Sequence, residues 1–258
     1  MRLLATNDDG IESVFLHELV RALIAAGHDV CVAAPKSEQS WTGASKSRHR
    51  PVHSAEADCG LGCPTWVVDG TPSDSVNIAI EHLLPWKPEA VMSGINIGLN
   101  ASLAFILGSG TVAGACEGAL HGIPGVALSQ NLPIAVYDAL KESKGTLDPA
   151  LLAALQMSAA RAAALAPALA AQTPAMSFIV HNINFPYPCL AGARLRRTVP
   201  ARVTLPGLFS PRATDGTHQL VFRLGEDLSP DAPVTDRAAL EAGDISHTVL
   251  DFSRLGSI

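Results

Sequence analysis

Short apolar runs alternate with amphipathic stretches from the N-terminus to Ser129, a pattern that predicts strand and helix in turn. Leu3-Leu4-Ala5 reads as a short buried strand. Behind it Phe15, Leu16, Leu19, Val20, Leu23 and Ile24 recur at helical spacing, and Gly27 closes that helix. Val30 to Ala34 is a second buried strand, stopped by Pro35. Strands that are apolar on both faces and joined through a helix belong to a parallel sheet covered on both sides. Lys36 to Arg50 is polar and leaves the sheet as a loop, and Thr65-Trp66-Val67-Val68 returns as a strand. Thr71 or Ser73 is placed to cap a helix over Ser75 to Leu84. Ala90 to Ser93 is the next strand and delivers Gly94-Ile95-Asn96 at its end. Ser109-Gly110-Thr111 opens a helix that runs through His121, and the strand Val126 to Ser129 completes a doubly wound pattern.

The rest of the chain is less regular. Asp148 to Ala171 is an Ala/Leu-rich helix broken by Gln156, Ser158, Arg161 and Pro167, which suits packing on a sheet better than a membrane span. Phe178-Ile179-Val180 is a strand ending at His181-Asn182-Ile183-Asn184. Past Pro186, short β runs separated by Pro and Gly, Leu220-Val221-Phe222 among them, predict an appended β-rich arm suited to oligomerisation.

Composition narrows the classes. A formal net charge of −6 over 258 residues leaves no basic footprint, so a nucleic-acid polymer is not the expected partner. The five cysteines are scattered and odd in number, as in a reduced cytoplasmic protein rather than a disulfide framework. Cys59 and Cys63 have no second Cys/His pair to complete a zinc site. Arg2-Leu3-Leu4 enters the first strand with no signal-peptide pattern, so neither secretion nor a membrane is expected.

The chemistry gathers where strands end, since ligands bind at the carboxyl edge of an open α/β sheet. Asn7-Asp8-Asp9-Gly10 follows the first strand. It reads either as a polar turn or as two crowded carboxylates that need a compensating cation, for which Mg²⁺ or Mn²⁺ is suited. Ser40 lies in the loop after the second strand and Asn96 at the end of the strand at Val91, each adding an oxygen. Gly108 to Ala113 offers glycines, hydroxyls and a helix N-terminus to an anion. The same stretch fits a Gly-x-Gly-x-x-Ala dinucleotide fingerprint, but the next strand ends Leu128-Ser129-Gln130 without the carboxylate a ribose needs. No Gly-x-Ser-x-Gly elbow and no phosphate-binding Gly-x-x-x-x-Gly-Lys-Ser/Thr loop is present. His121 and His181 are candidate proton carriers or ordinary structural histidines.

Taken in order, Asn7-Asp8-Asp9-Gly10, Gln39-Ser40, Gly70-Thr71-Pro72, Ser93-Gly94-Ile95-Asn96 and Ser109-Gly110-Thr111-Val112 resemble the SurE (survival protein E) family of 5′/3′-nucleotidases. Gly122-Ile123-Pro124, Asn182 to Pro186 and Thr235-Asp236 are also similar to it, so the resemblance covers nearly the whole chain. It implies a three-layer αβα sandwich with a Rossmann-like core over residues 1–185 and a β-rich extension over 186–258 that is exchanged in homodimers or homotetramers. It implies one divalent metal ion, Mg²⁺ or Mn²⁺, held by Asp8, Asp9, Ser40 and Asn96, with Asp8 or Asp9 also acting on the attacking water. Asn7, Ser109, Gly110 and Thr111 would bind the phosphate of a nucleoside monophosphate. Two departures sit at the substrate mouth. Trp41 stands where a glycine usually follows the serine, and the connection 97–108 lacks its usual acidic pair and ends Leu107-Gly108 in place of an aromatic. They motivate the alternative of a nucleotide-binding regulator with reduced catalysis.

Overall fold

The computed structural model describes residues 1–143, 145–221 and 224–256. Nine strands form one sheet in the order β3-β4-β2-β1-β5-β6-β7-β9-β8. The strands are β1 (Arg2–Thr6), β2 (Asp29–Pro35), β3 (Ser54–Glu56), β4 (Thr65–Val68), β5 (Ala90–Ile97), β6 (Gly125–Gln130), β7 (Ile179–Phe185), β8 (Leu195–Thr198) and β9 (Ile245–Asp251). From β4 through β7 every pairing is parallel, and β3 and β9 add antiparallel neighbours at the two sides. The central strands β1 and β2 are almost wholly buried, as their unbroken apolar runs require.

Helices cover both faces. On one side α1 (Val14–Ala25) packs against α6 (Pro149–Gln172), and Leu16, Leu19, Leu23, Leu155 and Ala162 join the main apolar cluster with Leu3, Met92 and Ile183. On the other side α2 (Pro72–Ile78) packs against α4 (Gly110–Leu120), with Val76 on Leu4 and Val91, and Val112 and Ala115 on Ala127 and Val180. α6 is long and apolar enough to cross a bilayer by length and composition, but Leu151, Leu155, Ala159 and Ala162 lie buried.

Several predicted boundaries move. α2 begins at Pro72 rather than Ser75, because Thr71 and Asp74 form a reciprocal capping box and Pro72 suits the first helical position. It continues as one π turn, Ala79–Leu83. Two helices carry no strong sequence pattern, α3 (Leu103–Gly108) and α5 (Ile134–Glu142). The C-terminal segment contributes to the main sheet: β9 pairs with β7, β8 with β9, and α7 (Asp236–Glu241) joins them. Leu220 makes a lone bridge with Phe209, and Phe222 of the run predicted there lies outside the described residues.

The β7–β9 pairing sets two histidines side by side. His181 Nδ1 lies 2.9 Å from His247 Nε2, and Thr173 Oγ1 lies 2.7 Å from His181 Nε2. Burial pushes both imidazoles down to about 4, and the Arg197 guanidinium adds to the effect on each. Both are therefore neutral in the fold, while an unfolded chain takes up these protons near pH 6.5. Stability is fully present above about pH 6.5 and is lost as the pH falls toward 4. Melting temperature followed across that window is expected to fall in the wild type and to fall less in His247→Gln. Parallel slopes for the two proteins would refute the assignment.

Candidate active site

The site lies at the carboxyl edge of β1 and β5, neighbours at the point where the strand order reverses. That crevice is where open α/β sheets bind ligands. Asp8 and Asp9 follow β1 after the single residue Asn7. Asp8 is 3% exposed. Its Oδ1 accepts a hydrogen bond from Thr111 Oγ1, and Asp9 Oδ2 accepts one from the Ile97 N–H at 3.0 Å. None of the ion pairs among the described residues involves either carboxylate. Burial pushes Asp8 up to about 6 and raises Asp9 well above the ordinary carboxylate range, with the charge of Asp8 as the second cause for Asp9. Glu38, which the sequence did not single out, adds like charge to both.

The helix α4 abuts this pair. A Cβ at Gly110 would lie 2.8 Å from Asp8 Cβ and 2.9 Å from its Oδ2, so only glycine lets the carboxylate reach the helix end. Ser109 caps α4 by accepting from the Val112 N–H at 3.0 Å. The Thr111 hydroxyl is engaged with Asp8, whereas Ser109 Oγ accepts at the cap and keeps its O–H to donate, so this end offers an anion N–H groups, the Ser109 hydroxyl and the helix dipole. Asn7 is buried; its Nδ2 donates to the Gly10 carbonyl at 2.9 Å, and its Oδ1 has no hydrogen-bond partner among the described residues.

Of the other predicted residues, Ser40 is brought to Asp9, and Asn96 lies near the end of β5. The Gln39 N–H donates to the Asp8 carbonyl at 2.7 Å, bringing the Ser40 loop against β1. Ser40 and Asp9 line one cavity of about 510 Å³ with Glu12, Glu38, Tyr137 and Lys141. Asn96 sits past a register shift in the β5–β6 pairing, between Ser93 and Asn96, and its Nδ2 donates to the Gly98 carbonyl at 2.9 Å, so the amide oxygen is the donor atom it can turn elsewhere. The loop beyond is held by distant side chains. The Asn100 N–H donates to Asn184 Oδ1 at 2.8 Å, Asn182 Nδ2 donates to the Asn100 carbonyl at 2.8 Å, and the Ser102 N–H donates to Asp236 Oδ2 at 2.8 Å. That gives Asn182-Ile183-Asn184 and Thr235-Asp236 their work: they hold the loop between β5 and α3. The loop that carries Ser40 is tied separately, by Lys46, 2.6 Å from the buried Glu117 on α4.

The two departures at the mouth are coupled. Trp41 packs over Gly108, where a Cβ would meet its Cε3 at 3.0 Å, so a side chain at 108 and the indole at 41 compete for one space. His121 caps the far end of α4, and His181 is buried near the start of β7, so neither histidine serves this site. All five cysteines are free, and among the described residues no three His, Cys, Asp or Glu side chains cluster as a metal site. A cation here would therefore rest on two carboxylates and neutral oxygens. That donor set suits a hard ion that keeps several waters, and the uncompensated Asp8–Asp9 pair and the orphaned Asn7 oxygen fit one.

Fold and site define an α/β enzyme with its polar centre over the carboxyl edge of a mostly parallel sheet. The sequence profile of the family described as survival protein SurE matches residues 3–204. The chain belongs to the SurE family. It is 38% identical over 262 residues to a protein named 5′-nucleotidase SurE from Solidesulfovibrio magneticus, covering 98% of this chain and 92% of the relative. A protein of the same name from Desulforudis audaxviator is 46% identical over 130 residues, an alignment that spans half of each chain. The crystal structure of the SurE protein from Aquifex aeolicus superimposes with a TM-score of 0.70 at 26% identity, covering 100% of this chain and 98% of that one.

Proposed function

We propose that the chain is a divalent-metal-dependent phosphomonoesterase that releases phosphate from nucleoside monophosphates, a 5′-nucleotidase. The observation that carries the reading is the pair of adjacent carboxylates, Asp8 buried and Asp9 half-buried, unpaired with any described cation, with Asp8 packed on the N-terminus of α4. The relatives' name, 5′-nucleotidase SurE, supports the substrate class. Asp8, Asp9, Ser40 and Asn96 would hold Mg²⁺ or Mn²⁺, which when bound polarises phosphoryl oxygen and lowers the pKa of water. Thr111 fixes Asp8 through its hydroxyl, and Asp8 or Asp9 positions and deprotonates the attacking water. Ser109 through its hydroxyl, and Gly110 and Thr111 through first-turn N–H groups, would face the phosphate at the positive end of the helix dipole. Asn7 borders the same space with an amide oxygen, suited to a bound water.

We further read the segment 186–258, whose β8, α7 and β9 here complete the chain's own sheet, as carrying the arm exchanged in a homodimer or homotetramer in the cytoplasm. The exposed Phe209, Leu220 and Leu228 support an arm that meets another copy. Phosphate release from a panel of nucleoside monophosphates tests the reading. Release is expected with Mg²⁺ or Mn²⁺, to vanish with chelator and to return on adding metal. Equal release with and without chelator would refute metal dependence. Nucleotide binding with no release under any metal would favour the regulatory alternative that Trp41 and the 97–108 connection motivate.

A further inference from the structure

We propose that Trp41 is the platform on which the base of the substrate stacks, giving the site its preference for nucleoside phosphates over phosphates of small sugars. The proposal rests on the nucleotidase reading and deepens it. Trp41 directly follows Ser40, and its six-membered ring lies over Gly108, directly before Ser109. The indole thus bridges the loop of a metal-donor candidate and the start of the phosphate-facing helix. The two loops are tied there by the Gly43 N–H, which donates to the Gly108 carbonyl at 3.0 Å.

Three further features set this residue apart. Its ring is backed by Phe105, with centroids 5.6 Å apart and planes at 56°, so the indole is held rather than swinging free. It is nevertheless 40% exposed, and Leu103 and Leu107 continue an exposed apolar rim beside it. Its φ is 64°, a left-handed conformation that a bulky side chain occupies only at a cost and a glycine occupies freely. A large aromatic face held in a strained conformation at the rim of a polar site suits a planar, uncharged π system, and a nucleobase is that part of the substrate. The cavity against α5 is the rival position for the base. It is lined by Glu12 and Glu38, and the ring of Tyr137 already carries the Lys141 ammonium 5.0 Å from its centroid. Those features leave Trp41 the better stacking surface.

Base–aromatic stacking is worth about tenfold or more in binding per base. The test compares kcat/KM for AMP and for ribose 5-phosphate, with Mg²⁺ or Mn²⁺, in the wild type, Trp41→Gly, Trp41→Phe and Tyr137→Ala. Glycine tolerates the backbone conformation at 41, so the ratio of the two substrates reports the ring and not a displaced Ser40. The AMP to ribose 5-phosphate ratio is expected to fall about tenfold in Trp41→Gly and to recover in Trp41→Phe. AMP is also expected to quench tryptophan emission in the wild type and not in Trp41→Phe, where Trp66 and Trp86 remain. An unchanged ratio in Trp41→Gly, or a ratio lowered by Tyr137→Ala instead, overturns the platform while leaving the nucleotidase reading intact. A wild-type chain that neither binds nor hydrolyses AMP overturns both.

Discussion

Asp8→Asn is expected to remove phosphate release while making the metal-free protein more stable. The two effects have one cause. Asp8 is buried beside Asp9, with Glu38 adding a third negative charge, and no described cation is paired with the first two. Without a bound cation the fold must either hold adjacent charges in a poorly solvated crevice or protonate them, and both are costly. Asparagine has the same shape, still accepts from Thr111 Oγ1, and removes one of the charges. A gain of about 1 kcal/mol would raise the melting temperature by ~2–4 °C for a chain of this size. The same change removes an anionic donor from the proposed ion site. Turnover is expected to fall by about 10³-fold or more, as when a group acting in concert with others is lost. The wild type should also gain melting temperature on adding Mg²⁺ or Mn²⁺, and the variant should not. Retention of a tenth of the wild-type rate in Asp8→Asn would remove Asp8 from the mechanism. A loss of stability in the metal-free variant would show that the carboxylate is compensated in the fold after all.

The parts of this molecule legible in its sequence are those whose physics is local. β1, β2 and β6 are short apolar runs between turn residues, and α1 shows its buried stripe at helical spacing. α5 buries Leu140 alone, so its stripe is too weak to read, and six residues of α3 are too few to set a period. β8 reads Leu195-Arg196-Arg197-Thr198, a polar edge strand whose place beside β9 is decided by long-range pairing. The site divides in the same way. Asp8-Asp9 and Ser109-Gly110-Thr111 stand out as contiguous chemistry at strand and helix ends. The bond from Thr111 to Asp8, the field of Glu38 and the grip of Asn184 and Asp236 on the 97–108 connection join residues far apart in sequence. Nothing in local spacing encodes them. Trp41 and Gly108 are the instructive case: each looks like an isolated oddity, and only their contact makes them one feature.

Gly94→Ala is expected to cost more than any other single methyl group added near the site. Gly94 sits in β5 with φ 136°, in the stretch where the β5–β6 register shifts between Ser93 and Asn96. A Cβ there would lie 2.2 Å from the Leu128 carbonyl oxygen and 3.0 Å from the Leu128 Cβ. The obstacle is backbone in the centre of the sheet, not a flexible side chain, so relief requires β5 and β6 to part. Backbone conformation and overlap act together, and a loss above about 4 kcal/mol is the scale for such a site. Against a typical total stability of about 5–15 kcal/mol, the variant should unfold at much lower urea or fail to accumulate. Gly27→Ala supplies the control, since Gly27 also has positive φ, at 81°, but among the described residues nothing beyond its chain neighbours lies within 4 Å of the added methyl. It should lose only the conformational part, about 1 kcal/mol. The difference between the two urea midpoints isolates the close approach of the strands. Because the irregularity lies between Ser93 and Asn96, and Asn96 is one of the proposed metal-holding residues, a partly folded Gly94→Ala protein should lose the metal-induced rise in melting temperature before it loses its sheet. Equal midpoints for the two variants would mean that β5 and β6 yield at Gly94 without cost, and that the shift in register does not fix Asn96.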